Sequence, residues 1–143
     1  MHYCEAALII CEDWRLHQRA DGKNYVADFT KTLGIDCDLI TRAGGAQDLV
    51  RPQIGFDESI IRDAEVSAKL HSATQIHLIN HQDCGAYGAF SFSSLEEERE
   101  QHKNDLFLAR EMLNRRFPGK EIRIYFAELK DKDNDVFEIK EIL

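Results

Sequence analysis

Short continuous apolar runs alternate along this chain with segments whose apolar residues recur every three or four positions. Ala6–Ile10 is apolar throughout, as a strand buried on both faces would be. Residues 24–33 carry Tyr25, Val26, Phe29 and Leu33 at helical spacing, and Gly34 supplies a stop. Residues 37–40 read as a second strand, broken by a tight turn at Gly44-Gly45. Residues 57–72 predict a helix with Ile60, Ile61, Ala64, Ala68 and Leu70 as its apolar stripe and Asp57 as its cap. Residues 76–79 form a third strand. Ser94-Leu95-Glu96-Glu97 is a capping box before a long helix that carries Leu106, Met112, Leu113 and Phe117 and stops at Pro118-Gly119. Residues 121–129 alternate apolar with polar, as a strand with one exposed face does. A charged turn at 131–135 leads into a final edge strand or short helix at 136–142. Strands alternating with helices predict an α/β fold: a single domain over residues 1–143, with a mainly parallel central sheet of about four to five strands flanked by helices.

Composition narrows the partners. The chain has 143 residues, 43% of them hydrophobic, which suffices for one core. Net charge is −8 and the pI is near 5.2. Nucleic-acid binding calls for clustered positive charge. The basic clusters are Arg115-Arg116 and a segment at 130–132 diluted by Asp131 and Asp133, so no nucleic-acid partner is expected. No run approaches the roughly 20 apolar residues of a membrane span, so no membrane partner is expected either. The first residues lack a basic region followed by an apolar stretch, which predicts a cytoplasmic protein with reduced thiols. Four cysteines in such a chain point to metal or catalysis rather than to disulfides.

The chemistry-bearing residues sit at strand ends. Cys11 follows the first strand, His81 follows the third, and Cys84 comes three residues later, where the chain turns towards a helix. In open α/β sheets, ligands bind beyond the carboxyl ends of the strands. If the two strands are neighbours, these residues face one crevice. Two thiolates and an imidazole suit zinc, and three protein ligands leave a fourth position for water. A thiol at a helix N-terminus has a lowered pKa. Asp13 and Arg15 have equal parity and share a side of an extended segment. A carboxylate held by a guanidinium stays ionised and fixed, ready to accept a hydrogen bond from water on the metal; the competing reading is a surface salt bridge. Cys4 and Cys37 read as core filling.

Cys11-x-Asp13-x-Arg15 and His81-x-x-Cys84-Gly85 resemble the two signature motifs of the β-class carbonic anhydrases. Between them, Ile40-Thr41-Arg42-Ala43-Gly44-Gly45 is similar to that family's Arg-Asn-Ala-Gly segment, with Thr-Arg where Arg-Asn is usual. The resemblance spans about residues 5 to 90. It implies one Zn2+ per chain on Cys11, His81 and Cys84, and reversible hydration of CO2 to bicarbonate through a zinc-bound hydroxide. It implies a homodimer or higher oligomer with the site at a subunit interface. Asp13 would orient the hydroxide and help pass its proton out, Arg15 would hold Asp13, and Gly44, Gly45 and Gly85 would line the turns around the substrate. Gln18 is the positional candidate for the family's gating glutamine. His17 is a proton shuttle or, more simply, a surface histidine. Two departures stand out: a bulky Trp14, and Asn80 where the family usually has glycine before the metal histidine. The Trp14 ring is expected beside the metal crevice or in a dimer interface rather than free in water, and a ring that narrows the pocket would favour the alternative of a zinc hydrolase of COS or CS2. A third reading is a non-catalytic zinc protein in which Asp13 is the fourth ligand.

Overall fold

The apolar run Ala6–Ile10 forms β1, and all five of its residues are buried. The chain continues through α1 (Tyr25–Leu33), β2 (Cys37–Thr41), the short α2 (Gln47–Val50), α3 (Phe56–Leu70), β3 (Gln75–His81), α4 (Leu95–Arg116), β4 (Glu121–Asp131) and β5 (Val136–Ile142) in a computed structural model that describes residues 2–143, except the side chain of Phe90. The strand order is β2-β1-β3-β4-β5. The first four strands are parallel, and β5 runs antiparallel to β4 as the edge.

Period-two alternation sorts the core into two layers. Ala7 and Ile9 of β1, Ile76 and Leu78 of β3, and Ile122 and Ile124 of β4 meet α2, α3 and α4 through Leu49, Ile60, Ile61, Leu106 and Leu113. Leu8, Ile10, Ile79, Tyr125 and Ala127 face the other way, onto Tyr25 and Val26 of α1 and onto Phe137 of β5. Covering both faces explains why β1 reads as an unbroken apolar run and why β3, whose Ile76, Leu78 and Ile79 are joined by His77, Asn80 and His81, is buried from Ile76 onwards. Local signals set the helix ends. Asn24 caps α1 by accepting from Ala27 N, and Gly34 ends it at φ 68°. Ser94 accepts from Glu97 N and Glu97 reaches back to Ser93 N, close to the expected capping box.

Some expectations need correction. Asp57 is not the cap of α3: Gly55 holds that position, and Asp57 sits in the first turn, where its charge meets the positive helix end. Leu70 is exposed, and Ser67 continues the buried face after Ala64. β4 has no clean exposed face, because it lies between β3 and β5 and Ile124–Ala127 are buried continuously. Cys84 is followed by short 3-10 turns, Gly85–Tyr87 and Ala89–Ser91, rather than by an α-helix. Cys4 precedes β1 and is only half-buried, so it does not fill the core.

Candidate metal centre

The chain leaves β1 at Ile10, crosses to β2 on one side, and returns through α3 to β3 on the other side of β1. The connections therefore diverge at the carboxyl ends of β1 and β3, which makes the crevice expected at a topological switch point. Cys11 stands at the first of these ends and His81 at the second, with Ile10 in register with Ile79. The turn after His81 returns Cys84 to the same place. One ligand atom from each of Cys11, His81 and Cys84 lies within 4.8 Å of the others, and all three residues are buried. The two sulfurs are 3.9 Å apart.

Each of these side chains is held by the backbone around it. The His81 Nδ1–H donates to the Gln82 carbonyl at 2.7 Å, which leaves Nε2 with its lone pair free. That Nε2 is buried and has no hydrogen-bond partner, although His81 is only 1% exposed. A buried polar atom left alone is costly, and a cation held by the two sulfurs and this nitrogen would satisfy it. Gly44 N–H donates to Cys11 Sγ at 3.4 Å. The Cys84 thiol, opposed by burial and helped by His81 and that N–H, holds Cys11 well below the usual thiol range. The Cys11 sulfur and burial push the Cys84 thiol up. One proton therefore leaves the pair easily and the second does not, and a cation between the sulfurs would remove that second barrier. Cys84 caps a 3-10 turn rather than the α-helix expected from sequence, and the Cys11 sulfur and burial raise its thiol by more than the Tyr87 and Ala86 backbone N–H groups lower it.

Asp13 and Arg15 are paired, but through a turn rather than an extended segment. Asp13 caps the 3-10 turn Trp14–Leu16 by accepting from Arg15 N at 2.9 Å, and Arg15 folds back to donate from Nη2 at 2.8 Å and from Nε at 3.1 Å. Burial pushes the Asp13 carboxyl up, but the Arg15 hydrogen bonds outweigh it and hold the group below its ordinary value. Asp13 Oδ2 lies 3.8 Å from His81 Nε2, at the edge of the three-ligand cluster. Arg15 is itself over-determined. It donates to the Asp83 carboxylate and carbonyl at 3.0 Å each, and pairs with Asp135 at 3.5 Å. Asp83 has φ 63° and Asp135 φ 52°, left-handed conformations that non-glycine residues rarely adopt.

Gly44 and Gly45 are required sterically. A Cβ on Gly45 would lie 2.6 Å from Asn80 Oδ1 and 2.9 Å from the Ile79 carbonyl oxygen, and one on Gly44 2.9 Å from Gln47 Cβ, both at positive φ. Gly85 differs: a Cβ there would meet nothing within 4 Å. Asn80 is the residue that reading the sequence undervalued. Its Oδ1 accepts from Ala46 N at 2.9 Å, and its Nδ2 donates to Tyr87 OH and His102 Nδ1 at 3.0 Å each. Tyr87 donates to Asp105 at 2.6 Å, and Arg51 pairs with Asp105. Asn80 thereby ties the glycine turn that faces Cys11 to α4. A signal existed, since His102 and Asp105 fall on the same helical stripe as Leu106, Ala109 and Leu113. Asp135 had none, as its place depends on the β4–β5 hairpin.

His17 is partly buried and its Nε2 is 2.8 Å from the Cys11 carbonyl oxygen, which makes it a tie on the ligand loop. Gln18 is exposed. Trp14 is 65% exposed, with Arg19 stacked 5.9 Å from its ring centre, so it narrows no crevice of its own chain.

Residues 1–137 match the family model described as "Putative carbonic anhydrase". The chain belongs to this carbonic anhydrase family. An uncharacterized protein of Rickettsia conorii is 27% identical, with 92% of this chain and 72% of the relative covered. One of Rickettsia bellii is 28% identical, over 92% and 80%. The fold is similar to that of tetrameric β-carbonic anhydrases from Sordaria macrospora (TM-score 0.57, 16% identity, 99% of this chain and 82% of that one). It is also similar to a carbonic anhydrase from Glaciozyma antarctica (0.55, 18%, 96% and 81%) and to an apo carbon disulfide hydrolase (0.50, 20%, 86% and 73%). Among the described residues, no helix is long and apolar enough to cross a membrane.

Proposed function

We propose that this carbonic anhydrase family member catalyses the reversible hydration of CO2 to bicarbonate with one zinc ion held by Cys11, His81 and Cys84. The observation that carries the reading is the buried convergence of two sulfurs and an unpartnered imidazole nitrogen at the sheet's switch point. Zinc bound there supplies a water acidic enough to act as a nucleophile near neutral pH. Gly44 N–H and the Gln82 carbonyl fix the orientation of Cys11 and His81. The Asp13 carboxylate, aimed by Arg15, is the acceptor that would orient such a water and take up its proton. Arg15 is anchored by Asp83 and Asp135, which would hold Asp13 in its place beside a bound metal. Asp13 is thus an orienting base rather than a fourth ligand.

Self-association belongs to the same reading. Trp14 is a large exposed ring directly between Asp13 and Arg15, and covering it with a second copy would bury apolar area at the rim of the site. Sedimentation of the purified protein checks this, and a monomer at micromolar concentration would remove it.

The deciding experiment measures zinc content together with stopped-flow CO2 hydration. About one equivalent lost on Cys84→Ser, with hydration lost alongside it, is expected. A zinc-loaded wild type with hydration no faster than buffer would overturn the catalytic reading.

A further inference from the structure

The opposite end of the sheet carries a second set of metal-ligating side chains. We propose that Cys4, Asp38 and His71 form a separate divalent-cation site, selective for zinc-like ions, at the amino ends of β1 and β2. Cys4 lies just before β1, Asp38 in β2, and His71 caps the carboxyl end of α3. One sulfur, one carboxylate oxygen and one ring nitrogen from these residues lie within 4.8 Å of one another. Tetrahedral zinc bonds of about 2.0–2.3 Å need ligand atoms roughly 3.3–3.8 Å apart, so side-chain adjustment suffices. Seven residue steps of nearly extended chain lead from Cys4 to Cys11, about 23 Å at 3.3 Å per step, so the two clusters cannot share an ion.

Three further observations favour a cation here. Ser67, one turn before His71, is 2% exposed, and its Oγ faces Cys4 and Asp38 without forming a complete hydrogen bond to either. A water in the fourth coordination position would give that hydroxyl a partner. The final carbonyls of α3, a helix of 15 residues, add negative potential beside His71. Backbone bonds already bring the elements together, with Cys4 N donating to His71 O at 3.1 Å. The thiolate and imidazole select zinc-like ions over magnesium or calcium. Burial raises the Cys4 thiol, so an ion must displace its proton. The competing arrangement is the bare hydrogen bond between His71 Nδ1 and Asp38 Oδ2 at 2.6 Å, which needs no metal. This proposal does not rest on the function assigned to the carboxyl end.

Equilibrium dialysis with Zn2+, and with Co2+ read by its thiolate charge-transfer absorption, tests it. Wild type should bind two equivalents per chain. Cys4→Ser, Asp38→Asn and His71→Gln should each weaken the second by more than about tenfold, since even changes outside the ligand shell cost about 10–100-fold. They should leave the equivalent that depends on Cys84 in place. Asp38→Asn preserves shape and a hydrogen-bonding oxygen for His71, so it reports on ligation even if Cys4→Ser impairs folding. A single equivalent lost only with Cys84→Ser, or a second one that survives all three substitutions, would overturn the proposal. A single equivalent lost only with Cys4→Ser would instead support it and sink the carboxyl-end metal.

Discussion

The two ends of the sheet hold similar donor atoms in opposite circumstances. At the carboxyl end, Cys11, His81 and Cys84 are buried, and His81 Nε2 has no partner. At the amino end, Cys4, Asp38 and His71 are half-exposed, and the last two satisfy each other. Ligand identity alone would rank the clusters nearly equal; burial separates them. Groups that reach solvent can lose an ion at little cost. A buried imidazole nitrogen cannot, because neither water nor a protein donor replaces the missing bond. The carboxyl end should therefore hold its ion more tightly, and changes there should cost chemistry more than stability.

The largest effect is expected from His81→Ala, which should abolish catalysed hydration and the tighter metal equivalent together. Retention of that equivalent would break the comparison outright. Next, Asp13→Asn should keep the metal and lower the hydration rate about 10²–10⁴-fold, the usual worth of general acid–base assistance. Arg15→Ala should fall in the same direction, because it frees Asp13 and leaves it facing Asp83 and Asp135 without a counter-charge. Stopped-flow rates at matched metal content check both. An unaltered rate in Asp13→Asn would leave only a metal site.

Acid should expose a third buried region, the histidines inside the two layers. Burial holds His77 down to about 4 and His102 down to about 3. The unfolded chain binds protons near pH 6.5, so it gains them where the folded chain refuses them. Stability is therefore full above about pH 6.5 and declines as pH falls towards 4, by up to roughly 3 kcal/mol per histidine. Urea midpoints between pH 7 and pH 4.5 measure the slope, and His77→Gln should flatten it. A pH-independent midpoint would show that these histidines are not buried as described.

Gly45→Ala should cost about 2 kcal/mol, because its Cβ meets Asn80 Oδ1 at a left-handed φ of 57°. Thermal midpoints read this, and a neutral result would show that Asn80 gives way easily. The smallest effect is expected from Trp14→Ala. An exposed ring in a lone chain is worth about 0.5 kcal/mol or less. A larger loss, accompanied by dissociation in sedimentation, would place Trp14 in a subunit contact.

Much of this molecule is written in local pattern. The run at β1, the short strand at 76–79, the stripe of α1, the box at Ser94 and the stops at Gly34 and Pro118 are short-range features whose physics lies within a few residues. The convergence of Cys11, His81 and Cys84 was legible because each ends or closely follows a recognisable strand. The pairing of Asp13 with Arg15 was legible too, although a cap, not parity, produces it. Tertiary structure alone decided the rest. Asp83 and Asp135 meet Arg15 across long sequence separations, through a left-handed turn and a hairpin that no local pattern announces. Asn80 gained its role from which strand lies beside the glycine turn, and Cys4 left the core because β1 begins only at Ala6. Residue type and spacing determine what a side chain can do. Which donors share a space, and whether water reaches them, depends on strand order and layer packing, which are properties of the whole chain.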